Sequence, residues 1–452
     1  MEHQNTPIPP SAPSRPPRVA VVGAGIVGSA IAYELQKRGA DVTLIDRDEP
    51  GQACSYGNSG AISPGSVAPL AMPGVLASLP KMLLDERSPL YLPLSYLPRA
   101  LPWLLRFIAS ASPHRVEQAA ERLHAIHVNA VQRHRQLTQE IGAPELLMQR
   151  GHLHLYPDAG ALEKDATSWR MRKEFGYDFE TLDRAGIEAL EPNVGKRYQI
   201  GVFLQDHATI VNPGRYVQAI VRAFEQRGGQ RRRTEVRALR RADFAGRPRW
   251  CVVEADGRED ECFDEVVVAA GAWSRKLTAP LGLDIPLESQ RGYHVQFRDA
   301  ARTVTRTVVL ADRKVFVTPM EEGLRVGGTV EIGGLSRPPD MRRAAMLERI
   351  ARETFDGLDD PSPSRWMGHR PCMPDSVPIV GPADGHPGLW LAVGHGHLGV
   401  TDSVNTAYRI ADRMLGAVGD AESHWVPACA GTTDFAVDAS FRRPREGGGP
   451  AA

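Results

Sequence analysis

The sequence predicts an α/β protein, α+β overall, in which a domain on a parallel sheet is interleaved with a domain on an antiparallel sheet. Three observations support this prediction. A strand–helix–strand pattern begins at residue 18, alternating apolar runs such as GYHVQF and KVFVTP fill residues 285–330, and 452 residues are more than one ordinary compact domain holds. Parallel and antiparallel parts are therefore expected to alternate along the chain.

The first unit, RVAVVGAGIVGSAIAYELQKRGADVTLIDRD, carries a G-x-G-x-x-G fingerprint between its first strand and its helix. Gly23 permits the tight turn, Gly25 lets backbone N–H groups approach a pyrophosphate, and Gly28 allows close helix–strand packing. Asp46 ends the second strand, where it can accept hydrogen bonds from a ribose. The fingerprint predicts a Rossmann-like domain with these cofactor-binding residues: Gly23, Ala24, Gly25, Ile26, Val27, Gly28, Asp46 and Arg47. A tight turn that binds nothing is the alternative, and the fingerprint alone does not separate NAD from FAD.

The later elements follow from periodicity and from helix and turn signals. Residues 51–80 are rich in Gly, Ser, Ala and Pro, which predicts a loop that approaches a ligand closely. The patterns then predict, in order, a long helix over 114–142, a strand over 151–157, a helix over 212–228, a strand over 263–270 and a last helix over 401–415.

Composition excludes several classes of protein. Lysine plus arginine (54) equal aspartate plus glutamate (54), so the chain lacks the basic field of a nucleic-acid-binding protein. The cysteines are scattered and form no C-x-x-C pair, which argues against a disulfide framework and a zinc site: Cys54, Cys251, Cys262, Cys372 and Cys429. A reducing cytoplasm is the expected location.

The two ends of the chain and one apolar segment differ in composition from the rest. Residues 1–17 are proline-rich and predict a disordered lead, and residues 419–452 predict a poorly ordered tail. No run of about twenty uncharged apolar residues is present, so the sequence does not predict a transmembrane helix. Residues 91–110 predict a packed helical segment, with peripheral contact at the inner face of the cell membrane as the alternative.

A series of motifs in a fixed order resembles the D-amino-acid oxidase superfamily of FAD-dependent oxidoreductases. Within it the chain most resembles the D-amino acid dehydrogenases and hydroxy-D-proline dehydrogenases. The resemblance covers roughly residues 18–416 and rests on SYGNSGAISPGSVAPLAMPG (55–74), RGHLHLY (150–156), VVVAAGAWS (266–274), RGYHVQF (291–297), RVGGTVEI (325–332), GHRPCMPDSVPIVG (368–381) and VGHGHLGVT (393–401).

The resemblance implies FAD as the cofactor and further residues that contact it. Ser59, Gly60 and Ala61 would approach the flavin ring or the pyrophosphate, and Val236 would lie beside the adenine. The turn after the strand at 263–270 and the loop before the last helix would complete the site with Ala270, Gly271, Gly394, His395, Gly396, Leu398, Gly399 and Thr401. The last helix would direct its N-terminus toward the ring's N1 and C2 carbonyl, where negative charge develops on reduction. A plain helix-entry loop is the alternative for these glycines.

The resemblance also implies how a substrate is held. Arg370 occupies the arginine of a G-x-R-P-x-x-P-D motif that clamps a carboxylate, a role that suits a planar guanidinium. An ion pair at a domain interface is the alternative. Tyr293 is a second candidate at the substrate face, with simple packing as its alternative, and His397 is expected to hydrogen-bond near the flavin.

Two other features bear on cofactor and metal. Sarcosine oxidases attach FAD to a cysteine upstream of a P-D pair, but Cys372 is too close to Pro374 for that register, so non-covalent FAD is expected. Histidines alternate in two segments, at His152 and His154 and at His395 and His397, but no carboxylate or cysteine accompanies them at ligand spacing. No metal is predicted.

The resemblance implies a FAD-binding domain from residues 18–90, 196–284 and 366–418, and a substrate domain from residues 91–195 and 285–365. The implied reaction removes a hydride from Cα of a D-amino acid or cyclic imino acid, such as hydroxy-D-proline, to flavin N5. Electrons would pass to a quinone or another carrier, such as an electron-transfer protein. The alternatives are an oxygen-using oxidase of the glycine or sarcosine type, a nicotinamide-dependent dehydrogenase, and a non-enzymatic flavin-binding protein.

Overall fold

A computed structural model of the chain describes residues 15–73, 89–244, 247–255, 261–298, 300 and 302–416. The predicted lead up to residue 14 and the predicted tail, 419–452, lie outside the described residues.

The strands of the described residues are β1 Arg18–Val22, β2 Asp41–Asp46, β3 Ala61–Ile62, β4 Leu90–Tyr91, β5 Leu147–Met148, β6 His152–Tyr156, β7 Glu180–Leu182, β8 Ile200–Leu204, β9 Ala208–Ile210, β10 Gln230–Arg233, β11 Val236–Phe244, β12 Arg247–Glu254, β13 Glu261–Phe263, β14 Glu265–Val268, β15 Glu288–Phe297, β16 Thr307–Leu310, β17 Val315–Met320, β18 Gly323–Ile332, β19 Ser364–Cys372, β20 Ile379–Pro382 and β21 Leu389–Val393.

The α-helices of the described residues connect these strands. They are α1 Ile26–Lys37, α2 Leu97–Ser110, α3 Pro113–His127, α4 Ala130–Glu140, α5 Ala159–Glu163, α6 Ala166–Glu174, α7 Arg184–Leu190, α8 Pro213–Gln226, α9 Ser274–Thr278, α10 Arg342–Thr354 and α11 Gly399–Leu415. Asn212 caps α8, because its side chain accepts a hydrogen bond from Arg215 N at 3.0 Å and Pro213 supplies the first turn.

A six-stranded sheet in the order β10-β2-β1-β14-β21-β20 forms the first layer system, and its strands are parallel except for β20. Because parallel strands are buried on both faces, β1 is a continuous apolar run. Val19 and Val21 pack into one core with α1, α8 and α11, whereas Ala20 and Val22 pack into another with Trp250 of the small sheet β11-β12-β13. This arrangement confirms the predicted Rossmann-like part of the fold.

A nine-stranded sheet forms the second part, in the order β19-β15-β18-β17-β16-β6-β8-β7 with β4 beside β18. The sequence predicts an antiparallel sheet here, and most pairs are antiparallel, but β16 pairs with β6 and β18 with β4 in parallel. No hairpin joins these two pairs, so their direction is not fixed by a turn. One face of this sheet packs on α10 through a core that includes Val295, Val326 and Leu347.

Several expectations differ in detail from the structure. The predicted helix over 114–142 breaks into α3 and α4, because Val128 is extended and Asn129 is left-handed at φ 60°, a conformation that asparagine tolerates. The scattered cysteines argued against a disulfide framework, but strand pairing sets Cys251 opposite Cys262 and these two are bonded. The predicted strand over 263–270 divides into the end of β13 and β14.

The domain boundaries stay a prediction, and two strands bear on them. β8 and β19 belong to the nine-stranded sheet although residues 196–284 and 366–418 are predicted for the FAD-binding domain. Within residues 91–110, α2 buries Trp103 and Phe107 and leaves Leu101 and Leu105 about half exposed. Searched over the described part of the chain, no helix has the length and apolar character needed to cross a membrane.

Candidate active site

A cavity of about 380 Å³ lies at the carboxyl ends of four adjacent parallel strands. Gly23 follows β1, Asp46 ends β2, Ala270 lies two residues beyond β14, and Gly394 follows β21; all four residues line the cavity. Ligands of open α/β sheets bind at this edge, because the loops and helix N-termini converge there. The position of the cavity therefore follows from the topology of the sheet.

The turn after β1 is built so that only glycine fits. Gly23 has φ +115°, and a Cβ there would lie 2.4 Å from the carbonyl oxygen of Ala269. A Cβ on Gly28 would lie 1.9 Å from the carbonyl oxygen of Gly23. The next helix, α1, has Gly25 as its N-cap without a side-chain cap, so early N–H groups such as that of Val27 have no intrahelical partner. These features fit a cofactor pyrophosphate bound at the start of α1.

Asp46 is held in place at the end of β2. Its carboxylate accepts hydrogen bonds from Ala24 N at 2.6 Å and Asp48 N at 2.9 Å, and burial raises the pKa of the carboxyl despite these bonds. Ser55, whose position the sequence did not single out, accepts a hydrogen bond from Ile26 N at 2.9 Å. The loop after β2 thus closes over the first turn of α1.

The opposite end of the cavity is formed by the loop before α11. Gly394 and Gly396 have φ of 90° and 54°, and a Cβ on Gly394 would lie 2.4 Å from Met373 Cγ. The first intrahelical bond of α11 runs from Asp402 N to Leu398 O at 2.9 Å. The N–H groups of the preceding turn are free of intrahelical partners, and Gly399 and Val400 of that turn line the cavity. Free N–H groups at a helix N-terminus suit a ring system that carries negative charge.

The cavity brings together thirteen of the predicted cofactor-binding residues: Gly23, Gly25, Ile26, Val27, Asp46, Arg47, Val236, Ala270, Gly271, Gly394, His395, Gly396 and Gly399. Ala24, Gly28, Ser59, Gly60, Ala61, Leu398 and Thr401 do not line it. Some of these support the wall instead: Thr401 Oγ1 accepts from Ser63 N at 3.1 Å and donates to Ala61 O at 3.2 Å. Lining residues that sequence reasoning missed include Cys54, Ser55, Asn58, Glu235, Trp273, Lys276 and His369. The motif SYGNSG contained two of them, but it gave no sign of which side chains face the ligand.

Arg370 lies on β19, with its guanidinium over the backbone of Gly292 in β15. A Cβ on Gly292 would lie 2.2 Å from Arg370 Cζ, so glycine there leaves room for the arginine head. Nη1 donates to Thr329 O at 2.9 Å, and no carboxylate among the described residues pairs with the guanidinium. Burial lowers the pKa of Arg370, and the nearby thiols of Cys372 and Cys54 offset this only in part. Arg370 is half-buried, and a cation that is partly withdrawn from water and has unused donors is a site for an anion.

Tyr293 and His397, the other two predicted catalytic residues, lie in different surroundings. The Tyr293 hydroxyl donates to Glu331 and accepts from Asp340 N at 3.0 Å, and its ring packs in the core on the α10 side. Since successive strand residues point to opposite faces, Tyr293 lies on the face of β15 away from Gly292 and Arg370. The His397 side chain is accessible to solvent. Desolvation by the surrounding protein, and secondly the positive charge of Arg370, lower the pKa of its imidazole to about 4.

The alternating histidines do not converge on a common point. His152 contacts His207 Nδ1 at 3.1 Å and Ala208 O at 2.8 Å, whereas the ring of His154 packs edge-on against Trp169. His395 Nε2 lies 3.0 Å from Thr406 Oγ1. In the described ranges, no group of three or more His, Cys, Asp or Glu side chains is arranged to hold a metal ion.

Comparison with known proteins identifies the family. A family model described as FAD dependent oxidoreductase, DAO, matches residues 18–413. The chain belongs to this family. A D-amino-acid oxidase of Bradyrhizobium diazoefficiens is 38% identical over 405 residues, which cover 88% of this chain and 95% of that protein. A D-amino acid dehydrogenase of the same organism is 31% identical over 406 residues, covering 88% and 95%.

Solved structures of DAO-like proteins share the fold. A glycine oxidase from Geobacillus kaustophilus has a TM-score of 0.67 at 19% identity, covering 88% of this chain and 94% of that one. An L-proline dehydrogenase from P. horikoshii has a TM-score of 0.69 at 17% identity, covering 92% and 97%. The predicted family, the predicted fold and the predicted cofactor FAD are thereby confirmed, and the chain is an FAD-dependent oxidoreductase. The alternatives of a nicotinamide-dependent enzyme and of a non-enzymatic flavin-binding protein are set aside.

Proposed function

We propose that this DAO family member dehydrogenates the carbon–nitrogen bond of a small D-amino acid or cyclic imino acid, such as hydroxy-D-proline. The observation that carries the proposal is the half-buried Arg370 guanidinium, which lacks a carboxylate partner among the described residues. A ligand carboxylate would supply that partner. The relatives named for D-amino acids, at 38% and 31% identity, support the configuration of the substrate.

In this proposal FAD is held non-covalently along the cavity. The turn at Gly23–Gly28 would bind its pyrophosphate, Asp46 its ribose, and the first turn of α11 its ring. Burial raises the pKa of the Cys54 thiol to about 11 and that of the Cys372 thiol to about 12, so neither is a thiolate that could attack the ring near neutral pH. When bound, FAD supplies the two-electron chemistry that the protein's side chains cannot.

The chain's own residues would bind and orient the substrate. Arg370 Nη1 is occupied by Thr329 O, which leaves the Nε and Nη2 edge for a bidentate pair with the carboxylate. Such a pair fixes the Cα–H bond relative to the ring. The positive charge of Arg370 also disfavours the ammonium form of the bound amine, so the neutral amine that can be dehydrogenated is favoured. His397 would be uncharged above about pH 4 and would add no second cation.

For the electron acceptor, a quinone or another carrier is the first proposal and oxygen is the second. The relative named D-amino-acid oxidase favours oxygen, and the relative named D-amino acid dehydrogenase favours a carrier. The exposed leucines of α2, Leu101 and Leu105, support peripheral contact with the membrane in which quinones reside.

The test of the substrate is anaerobic reduction of the purified, yellow holoenzyme. D-amino acids, cis-4-hydroxy-D-proline, sarcosine and glycine are added singly, with L-amino acids as matched controls. Loss of the flavin absorbance with a D-amino acid or hydroxy-D-proline, and not with its L-enantiomer, is expected. Reduction only by L-amino acids, or by none of the panel, contradicts the proposal. The reduced enzyme is then mixed with oxygen or with a soluble quinone, and the faster reoxidation identifies the acceptor.

A further inference from the structure

Asp402 is an acidic residue in the first turn of α11, the helix whose N-terminus borders the cavity. Its side chain is 1% exposed. An acid at this position stabilises its helix, but its negative charge also weakens the positive potential that the helix N-terminus offers to a ligand. The cavity-lining residues Gly399 and Val400 precede Asp402 by three and two positions. A carboxylate here therefore bears directly on how α11 stabilises charge in the cavity.

His127, the last residue of α3, is the partner of Asp402. It is fully buried, and its Nε2 lies 3.1 Å from Asp402 Oδ1. Within the described chain, none of the four polar side-chain atoms, His127 Nδ1 and Nε2 and Asp402 Oδ1 and Oδ2, has a hydrogen-bond partner, so the 3.1 Å approach is a close polar contact without hydrogen-bond geometry. Asn405, one turn on, donates to Ile126 O at 2.6 Å and to Val128 O at 3.0 Å, which fixes the end of α3 against α11.

A buried pair with unused hydrogen-bonding capacity is costly, and apolar side chains of similar size would stabilise the fold at least as well. The field of the pair also reaches the cavity wall. For His395, which lines the cavity, burial is the main cause of the lowered pKa, Asp402 raises the pKa and His127 lowers it. The same two residues act in the same directions on His397. The carboxylate of Asp402 therefore acts on the part of the cavity wall where the ring is proposed to bind.

We propose that Asp402 is a positioning residue that sets the potential of α11 toward bound FAD and makes reduction of the ring less favourable, with His127 holding its carboxylate in place. The inference rests on the proposed placement of the ring at the first turn of α11. At an effective dielectric constant of about 20, a unit charge roughly 10 Å away changes an equilibrium by about tenfold. Asp402 thus gives the protein a means of adjusting the reduction potential without touching substrate.

The experiment measures the midpoint potential and the sulfite dissociation constant of full-length holoenzyme variants. Sulfite binding to oxidised flavin places negative charge on the ring and needs no amino acid, so the result is independent of the substrate proposal. Asp402→Asn is expected to bind sulfite about tenfold more tightly and to shift the two-electron equilibrium tenfold toward reduction, about 30 mV. His127→Gln leaves the carboxylate in place and is expected to change both by less than about twofold.

Asp412→Asn is the matched control, because it removes one carboxylate from the same helix about 15 Å further along its axis, where Asp412 pairs with Arg38. It should change sulfite affinity by less than about twofold. If Asp402→Asn loses FAD, Asp402→Ser carries the same prediction. A shift of the same sign and size in His127→Gln as in Asp402→Asn would indicate general disruption and overturn the inference, as would an Asp402 variant that behaves like Asp412→Asn.

Discussion

Replacing Arg370 by methionine tests whether its guanidinium holds a substrate carboxylate. Methionine fills a similar volume beside Gly292, so little cavity is created, while the charge and the free Nε and Nη2 donors are lost. Two charge-assisted hydrogen bonds contribute about 1.5–3 kcal/mol each, or roughly 3–6 kcal/mol together. At about 1.4 kcal/mol for each factor of ten, kcat/KM should fall by about 100- to 10,000-fold.

The assay compares a D-amino acid with the corresponding amine that lacks the carboxylate, by anaerobic flavin reduction in both proteins. The native protein should prefer the amino acid by about the same factor, and the preference should disappear in Arg370→Met. Bound FAD and the melting temperature should be retained, since Arg370 has no charged partner among the described residues whose loss would expose a buried charge.

Arg365→Met is the control on the same strand. Arg365 is exposed and pairs with Glu348 at 2.9 Å, and it does not line the cavity. Its loss should leave kcat/KM unchanged to within about twofold, as for most surface ion pairs. A preference for the amino acid that persists in Arg370→Met, or that falls equally in both variants, would refute the assignment of Arg370.

Three further predictions follow from named contacts. Gly28→Ala should abolish FAD binding, measured as flavin absorbance per chain, because its Cβ would overlap Gly23 O, whereas Gly160→Ala in α5 should bind FAD normally. His134 is buried, and burial lowers its pKa to about 4. Because the unfolded chain binds this proton from about pH 6.5, the free energy of unfolding should fall by up to about 3 kcal/mol as the pH drops from 6.5 to 4. Urea titrations should show a smaller fall in His134→Gln. The pKa of His397, near 4, predicts no histidine-type break in kcat/KM between pH 5 and 7, and a break there that His397→Gln removes would contradict it.

The sequence predicted the parts of the site that depend on local chemistry. Gly23 and Asp46 stand at fixed places in one strand–helix–strand unit, so their roles could be inferred without tertiary contacts. What sequence could not supply is the pairing between distant segments. The side chain of Tyr293 points away from Arg370 because successive residues of β15 face opposite sides of the sheet. The pairing of β15 with β18 also shifts register between Arg291 and Tyr293. Similarly, the Cys251–Cys262 bond depends on strand register, which no pattern in the sequence encodes.

His127 and Asp402 show the same limit at longer range. They are 275 positions apart, and each alone resembles an ordinary helical residue. Only the packing of α3 against α11 brings them within 3.1 Å. Helix periodicity predicts which face of a helix is buried, but it does not predict which polar group meets which inside the core.

The strand order of the six-stranded sheet has a consequence for biosynthesis. Its two central strands, β1 and β14, are separated by more than 240 residues, and β21 and α11 come from the last part of the described chain. A nascent polypeptide on the ribosome therefore carries the glycine turn long before β14 and β21 exist. Folding of this layer must await the synthesis of β21, and long-range pairing of this kind is slow. FAD can then bind only after β21 has been synthesised, and chains truncated before β21 are expected to remain colourless.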